Sequence, residues 1–487
     1  MRDVQINRRK FLQKAAAGAL LAGSAANSSL PAGQAAEHDC GLQPAREMVE
    51  PMGDPEFVRL ITLDPAHFHA ALVQKQMLAG IAKRAAIYAP LGPDLLAHLK
   101  LIEQFNSRVN NPTSWELDIH CSPKSLEEMI AARPGNVMVL AGRNRIKIGK
   151  IDASLEAGLN VLSDKPWIIR AEDFRALEAA LSLADQKGLV AYDMMTERHE
   201  ITTILQRELV NDPEVFGTMI PADQDHPGVF MESTHHVLKT VAGASNPRPP
   251  FFFDILEQGE GLTDVGTHLV DLVQWTLFPD QALNFRQDIQ VQNGKRWATP
   301  ITAAQFGQIT GAAAFPTELV PYVHGDRFDY YCNNQVDYKI RGAQVRLRVL
   351  WNWESPAGVD FHHATYSGTN ASVEVRQTAK ENYRPELFVA PNGVERGAVV
   401  AAAVRARIEH LKGTYPGVGC EAAGDELHIT IPDRYRVGHE AHFAQVVGEF
   451  LKYLKSPQSM PAWERPNMLA KYFVTTSGVQ RSSPQRR

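Results

Sequence analysis

Asp264 and His268 stand four positions apart in E-Q-G-E-G-L-T-D-V-G-T-H-L-V-D-L-V-Q-W, residues 257–275. On a helix that spacing is one turn, so a carboxylate can touch an imidazole, fix its tautomer and raise its basicity. Leu262, Val265, Leu269, Leu272 and Val273 recur at helical spacing and predict a buried face, with Asp264, His268 and Asp271 on another. Such a pair handles protons, although taken alone it is more often a plain surface pair. Residues 160–167, N-V-L-S-D-K-P-W, read as an apolar strand running into Asp164, Lys165 and Pro166. Ligands gather beyond the carboxyl ends of strands in open α/β sheets, so Lys165 stands where an ammonium group stabilises a developing oxyanion.

Lys165 in D-K-P, followed about a hundred residues later by D-V-G-T-H, resembles the Gfo/Idh/MocA oxidoreductases, the glucose-fructose oxidoreductase and inositol dehydrogenase family, whose usual E-K-P is D-K-P here. E-S-T-H-H at 232–236 and P-F-F-F-D at 250–254 are similar to a bacterial branch named for its "putative oxidoreductase" C-terminal domain. The resemblance spans roughly residues 57 to 290. It implies a nicotinamide cofactor, NAD or NADP, a carbohydrate or polyol substrate, and Lys165, Asp264 and His268 as the catalytic group.

The whole chain sets outer bounds. Its 487 residues exceed what one core usually serves, so two domains are expected. A hydrophobic content of 44% and a charged content of 22% are those of a globular protein. A formal net charge of -5 argues against a nucleic-acid partner, which selects basic surfaces. The 17 histidines form neither H-E-x-x-H nor a Cys/His cluster at zinc spacing, so no metal centre is expected. Four cysteines, Cys40, Cys121, Cys332 and Cys420, are scattered, and any pairing among them is not legible.

The chain opens with N-R-R-K-F-L-Q-K and a short stretch of small and apolar residues. Paired Arg8 and Arg9 ahead of that stretch predict a twin-arginine signal peptide over 1–36, the twin-arginine export machinery as a partner, and a periplasmic location. A linker fills 37–56. Over 57–191, strands at 57–63, 85–88, 116–120, 136–140, 160–162 and 189–191 alternate with helices at 66–78, 93–107, 125–132, 146–157 and 171–187. That alternation predicts a Rossmann-like, doubly wound parallel sheet.

The phosphate loop departs from that fold's pattern. L-D-P-A-H-F-H-A-A, residues 63–71, has no glycine where G-x-G-x-x-G is wanted. Asp64 brings negative charge, and Pro65 removes an amide donor. Two readings stay open. Either a dinucleotide still binds, displaced, with Ala66, His67 and His69 near phosphate, or the site has been lost. Gly142 and Asn144, in the turn after the fourth strand, and Asp164 and Lys165 complete the cofactor-binding expectation.

Residues 192–480 are expected to form an α+β domain with a large open, mainly antiparallel sheet. Its strands include 328–332, 345–353 and 371–376, where polar and apolar residues alternate. His235 and His236, placed on a helix, and Asp254, in an aromatic loop, are the expected substrate contacts. The overall class is α/β. The chain is read as an exported NAD(P)-dependent oxidoreductase of sugars, polyols or glycosides, with no stable membrane span and with homo-oligomerisation open. The alternatives are a hydrolase or lyase that retains NAD and oxidises only transiently, and a sugar-binding protein that has shed its dinucleotide site.

Overall fold

The computed structural model describes residues 56–482 apart from 242–243, 246 and 356–357. The 1–36 signal segment and the linker up to residue 55 lie outside the described residues. Among the described residues, no helix is long and apolar enough to cross a membrane.

Six parallel strands form the first sheet, in the order β5-β4-β2-β6-β7-β8. They are β2 (Leu60–Leu63), β4 (Arg84–Ala89), β5 (Glu116–Cys121), β6 (Val137–Leu140), β7 (Asn160–Ser163) and β8 (Ala191–Asp193), with the short pair β1 (Glu56–Val58) and β3 (Gly80–Ile81) alongside. All four residues of β2 and of β6 are buried, as expected of parallel strands covered on both faces. The connecting helices are α1 (His69–Leu72), α2 (Pro93–Ser107), α3 (Ser125–Ala132), α4 (Lys147–Glu156) and α5 (Phe174–Lys187).

The sequence predicts α2 and α3 to the residue, and it overextends α1. That helix was expected over 66–78 but is a single turn. The carbonyl of Gln74 accepts from Trp115 Nε1 at 2.6 Å and that of Lys75 from Arg108 at 2.7 Å. Partners from distant segments thus take carbonyls that a longer helix would have used.

The second sheet has ten strands and is antiparallel except for one parallel pair. Its main path is β10 (Ile289–Thr302), β11 (Arg327–Ile340), β12 (Ala343–Glu354), β9 (Val229–Leu238), β13 (Phe361–Ser367), β14 (Ala371–Gln377), β15 (Glu386–Pro391), β17 (Glu426–Thr430) and β16 (Gly419–Ala423). The helix expected around His235 and His236 is therefore strand β9. It pairs with β12 on one side and β13 on the other, so two ladders of backbone bonds override the local sequence.

Four further helices matter here: α6 (Ile201–Val210), α7 (Gly261–Leu277), α8 (His439–Lys455) and α9 (Glu464–Ser482). The last two return to the first sheet. Phe443, Val446, Val447 and Phe450 of α8 share a core with Val58, Leu60 and Tyr192, while Met468 and Tyr472 of α9 share the opposite core with Ile61, Leu140 and Trp167. Residues assigned by sequence to the second domain thus cover both faces of the first.

Candidate active site

Lys165 leaves the carboxyl end of β7 and Asp264 sits in the first turn of α7; their side chains form an ion pair. The contact brings together two residues 99 positions apart, across the boundary between the sheets. Burial depresses the Lys165 ammonium, but the carboxylates of Asp264 and Asp164 outweigh it and raise its pKa. Burial likewise works against ionised Asp264, and Lys165 more than compensates, holding it below the usual carboxylate range. Lys165 is a permanent cation in this setting.

His268 follows one turn later on α7. Burial, then the charge of Lys165, push its pKa down to about 4, with the Glu197 carboxylate opposing. The imidazole is therefore neutral at physiological pH, and its Nδ1 is buried without a hydrogen-bond partner. The expected Asp264–His268 pair does not form, because Asp264 is held by Lys165. The carboxylate whose charge acts most on His268 is Glu197, in a 3-10 turn (Thr196–His199) after β8, with Asp271 adding less. Burial opposes ionisation of Glu197; His439, whose Nδ1 lies 3.5 Å from it, and His268 bring its pKa below the normal range. Glu197 was missed because T-E-R-H carries no periodicity to single it out.

Asp271, expected to support His268, points elsewhere. It receives both arms of Arg198, at 2.6 Å each, and Lys471 Nζ at 3.2 Å. Lys471 also reaches Asp193 at 2.8 Å, and Arg198 reaches Glu464 at 2.7 Å. This buried hub ties β8, α7 and α9 together.

Of the expected substrate contacts, His235 Nδ1 lies 2.9 Å from Asp360 and its Nε2 2.9 Å from Ser233 Oγ. Its ring packs 5.0 Å from Trp351, which Arg248 also covers. His236 is buried, 5.2 Å from the Phe361 ring. Asp254 accepts from the Leu256 amide at 2.9 Å and caps its own turn instead of facing the cleft. Phe253 is core, whereas Phe251 lies beneath Arg143.

The phosphate loop is closed upon itself. The Ala66 amide donates to the Asp64 carbonyl at 2.8 Å and the His67 amide to the Ala141 carbonyl at 2.8 Å. Asp64 adopts φ 43° and its carboxylate pairs with Lys150. Gly142 packs so closely that a Cβ there would lie 2.7 Å from the Asp64 carbonyl oxygen. With its amides consumed and α1 one turn long, this loop does not fit a pyrophosphate held in the glycine-loop manner. The cleft end does fit a polar ligand: Gln258 Oε1 and His268 Nδ1 are buried and unpartnered, and Asn144 Nδ2 donates to the Gln258 carbonyl at 2.7 Å, tying the two walls.

His67 and His69 both approach the Asp164 carboxylate, whose backbone carbonyl accepts from the buried Lys147 ammonium at 3.0 Å. Burial pushes the His69 pKa down to about 3. Cys121, Cys332 and Cys420 are free thiols, and Cys40 lies outside the described residues.

The family model described as "Putative oxidoreductase C terminal domain" matches residues 205–483. A putative oxidoreductase from Parabacteroides merdae is 45% identical, with a TM-score of 0.86 over 88% of this chain and 98% of that one. GenD2 from gentamicin A biosynthesis, solved with NAD, shares the fold at 15% identity and TM-score 0.53, over 92% of this chain and 98% of its own. KijD10, a 3-ketoreductase from Actinomadura kijaniata solved with NADP, does so at 12% identity and TM-score 0.51, over 86% and 95%. No curated protein matches the chain. An ion pair joining the D-K-P lysine to the D-V-G-T-H aspartate, on a fold shared along nearly its whole described length with a 45% identical putative oxidoreductase, leads to one conclusion: this chain belongs to the oxidoreductase family marked by that C-terminal domain.

Proposed function

We propose that this chain oxidises or reduces a hydroxyl-bearing carbon of a sugar or polyol with a nicotinamide dinucleotide as hydride carrier, and that it works after export by the twin-arginine route. The observation that carries the reading is the corner of Lys165, Asp264, His268 and Glu197, a fixed cation beside a neutral base backed by an anion. Lys165 donates to the reacting oxygen and stabilises alkoxide character there. His268 takes the hydroxyl proton, and Glu197 stabilises the imidazolium that results. Asp264 keeps Lys165 charged and aimed. The dinucleotide, when bound, supplies the hydride acceptor. The closed phosphate loop requires its phosphates to be held by groups other than the Ala66 and His67 amides.

The rims suit a carbohydrate. Phe252 and Arg248, both half-buried and packed on the buried Trp351 ring, lie beside the polar pair His235 and Asp360, Phe252 and Trp351 being 5.6 Å apart. Sugar C–H faces stack on such rings while hydroxyls take the polar groups. Export rests on Arg8 and Arg9 ahead of a small, apolar stretch.

The test is to isolate the protein from the periplasm, examine it for bound nicotinamide absorbance, and challenge it with sugars, polyols and added NAD or NADP. Saturable dinucleotide binding with net cofactor turnover supports the proposal. Bound but unexchanged cofactor with sugar cleavage favours a transient-oxidation lyase, and absence of any dinucleotide binding sinks the redox reading for this chain.

A further inference from the structure

We infer that His67, His69 and Asp164 form a binding site for one divalent transition-metal ion at the carboxyl end of the parallel sheet. The two histidines lie in and just after the loop that follows β2, and Asp164 is the first residue beyond β7, with β6 between them. The His67 and His69 Nδ1 atoms stand 3.2 and 3.0 Å from the two oxygens of one carboxylate. One ligand atom from each of the three residues lies within 4.8 Å of the others.

Those separations are short enough for hydrogen bonds, yet the directions are wrong. His67 Nδ1, His69 Nδ1 and Asp164 Oδ1 are all buried without an aligned hydrogen-bond partner. Three unsatisfied polar atoms at one point are costly unless something completes them. A cation bound at roughly 2.0–2.2 Å from nitrogen and oxygen donors needs ligand atoms grouped on this scale.

The surroundings fix the donors. Asp164 is 4% exposed and His69 is 7% exposed. The His69 ring is wedged 4.6 Å from Phe443 and 4.1 Å from His67. Lys147 holds the Asp164 carbonyl from behind. His67, with 36% of its side chain exposed, leaves one side of the site open to solvent. Two imidazoles and one carboxylate form the donor set of zinc, manganese, iron or cobalt; calcium and magnesium prefer all-oxygen sites.

The site also gives a physical reason for the missing glycines. H-F-H needs side chains and a closed loop where a dinucleotide-binding loop needs bare amides. The inference is independent of the nicotinamide reading, since it concerns only metal binding.

The test is a titration of the chelator-treated full-length protein with Co2+, followed by visible d–d absorption and by competition with Zn2+. The wild type should bind about one equivalent. His67→Ala, whose side chain is partly exposed, and His69→Gln should each weaken binding by at least about tenfold. His226→Ala, at an exposed histidine elsewhere, should bind as the wild type does. Absence of a saturable Co2+ signal in the wild type overturns the site, as does unchanged affinity in a folded His67→Ala protein. Co2+ binding and nicotinamide binding are read by different signals, so failure of one proposal leaves the other separately decided.

Discussion

Two regions along helix α7 carry the same kinds of charged residue and resolve them in opposite ways. Around Asp271, every charge found a partner: both arms of Arg198 and the Lys471 ammonium converge on one carboxylate, and Asp193 and Glu464 close the hub. One turn earlier, around His268, the partners are incomplete. Lys165 is paired with Asp264, but His268 Nδ1 is orphaned and the imidazole is neutral between an ammonium and a carboxylate. A saturated buried network fixes geometry and has nothing left to offer a ligand. An unsaturated one holds polar atoms in reserve, at a cost in stability, for a molecule that arrives later.

The widest separation between the two regions should come from Lys165→Ala. It should lower turnover by about a thousand-fold or more, as loss of a positioned cation does at a developing oxyanion. The thermal midpoint should fall by less than in Asp271→Ala, because the Asp264 carboxylate left behind is 21% exposed and can be rehydrated, and a circular-dichroism melt beside steady-state rates checks both. Full activity in this variant would make the Lys165 region as purely structural as the Asp271 hub.

Asp271→Ala should do the reverse. Removing one carboxylate leaves Arg198 and Lys471 buried beside fewer anions, so stability should fall by about 3–5 kcal/mol, read as a lower urea midpoint. If the variant instead folds normally and loses only activity, the hub belongs to the chemistry.

Glu197→Gln sharpens the boundary. Glu197 raises the His268 pKa, so its neutralisation should shift the acid limb of the rate profile to lower pH and cost about ten- to a hundred-fold in turnover. An unmoved acid limb would remove Glu197 from the site.

The smallest effect is on stability against pH. His268 and His362 both have folded pKa values pushed down to about 4, mainly by burial, from an ordinary 6.5. The unfolded chain binds more protons than the folded one between those values, so stability contributed by the neutral rings is present above pH 6.5 and lost as pH falls toward 4. Melting curves across that window should show the decline, and His268→Gln with His362→Gln should make it shallower, the remainder coming from His69 and His98, which burial depresses in the same way.

Much of the fold was legible because the physics behind it is local. Apolar runs bounded by turns gave β2, β4, β6 and β7, and helical spacing gave α2, α3 and α7. Strand β9 was misread as a helix because its ladder partners, β12 and β13, lie more than a hundred residues downstream. The short α1 escaped for the same reason, its carbonyls being claimed by Trp115 and Arg108. In the site, Lys165, Asp264 and His268 announced themselves by type and spacing, whereas Glu197 and Asp360 come from segments without pattern, and His439 opens a legible helix whose spacing does not say what it meets.

By itself, the sequence determined which groups are available: a lysine at a strand end, an aspartate and histidine one turn apart, and a loop with two histidines in place of glycines. Only the tertiary structure decided which of them meet. It gave Asp264 to Lys165 instead of His268, sent Asp271 into a buried hub, and brought His67 and His69 onto the carboxylate of Asp164. Pairing of charges depends on distances across the packed core, and periodicity along the chain carries no record of those distances.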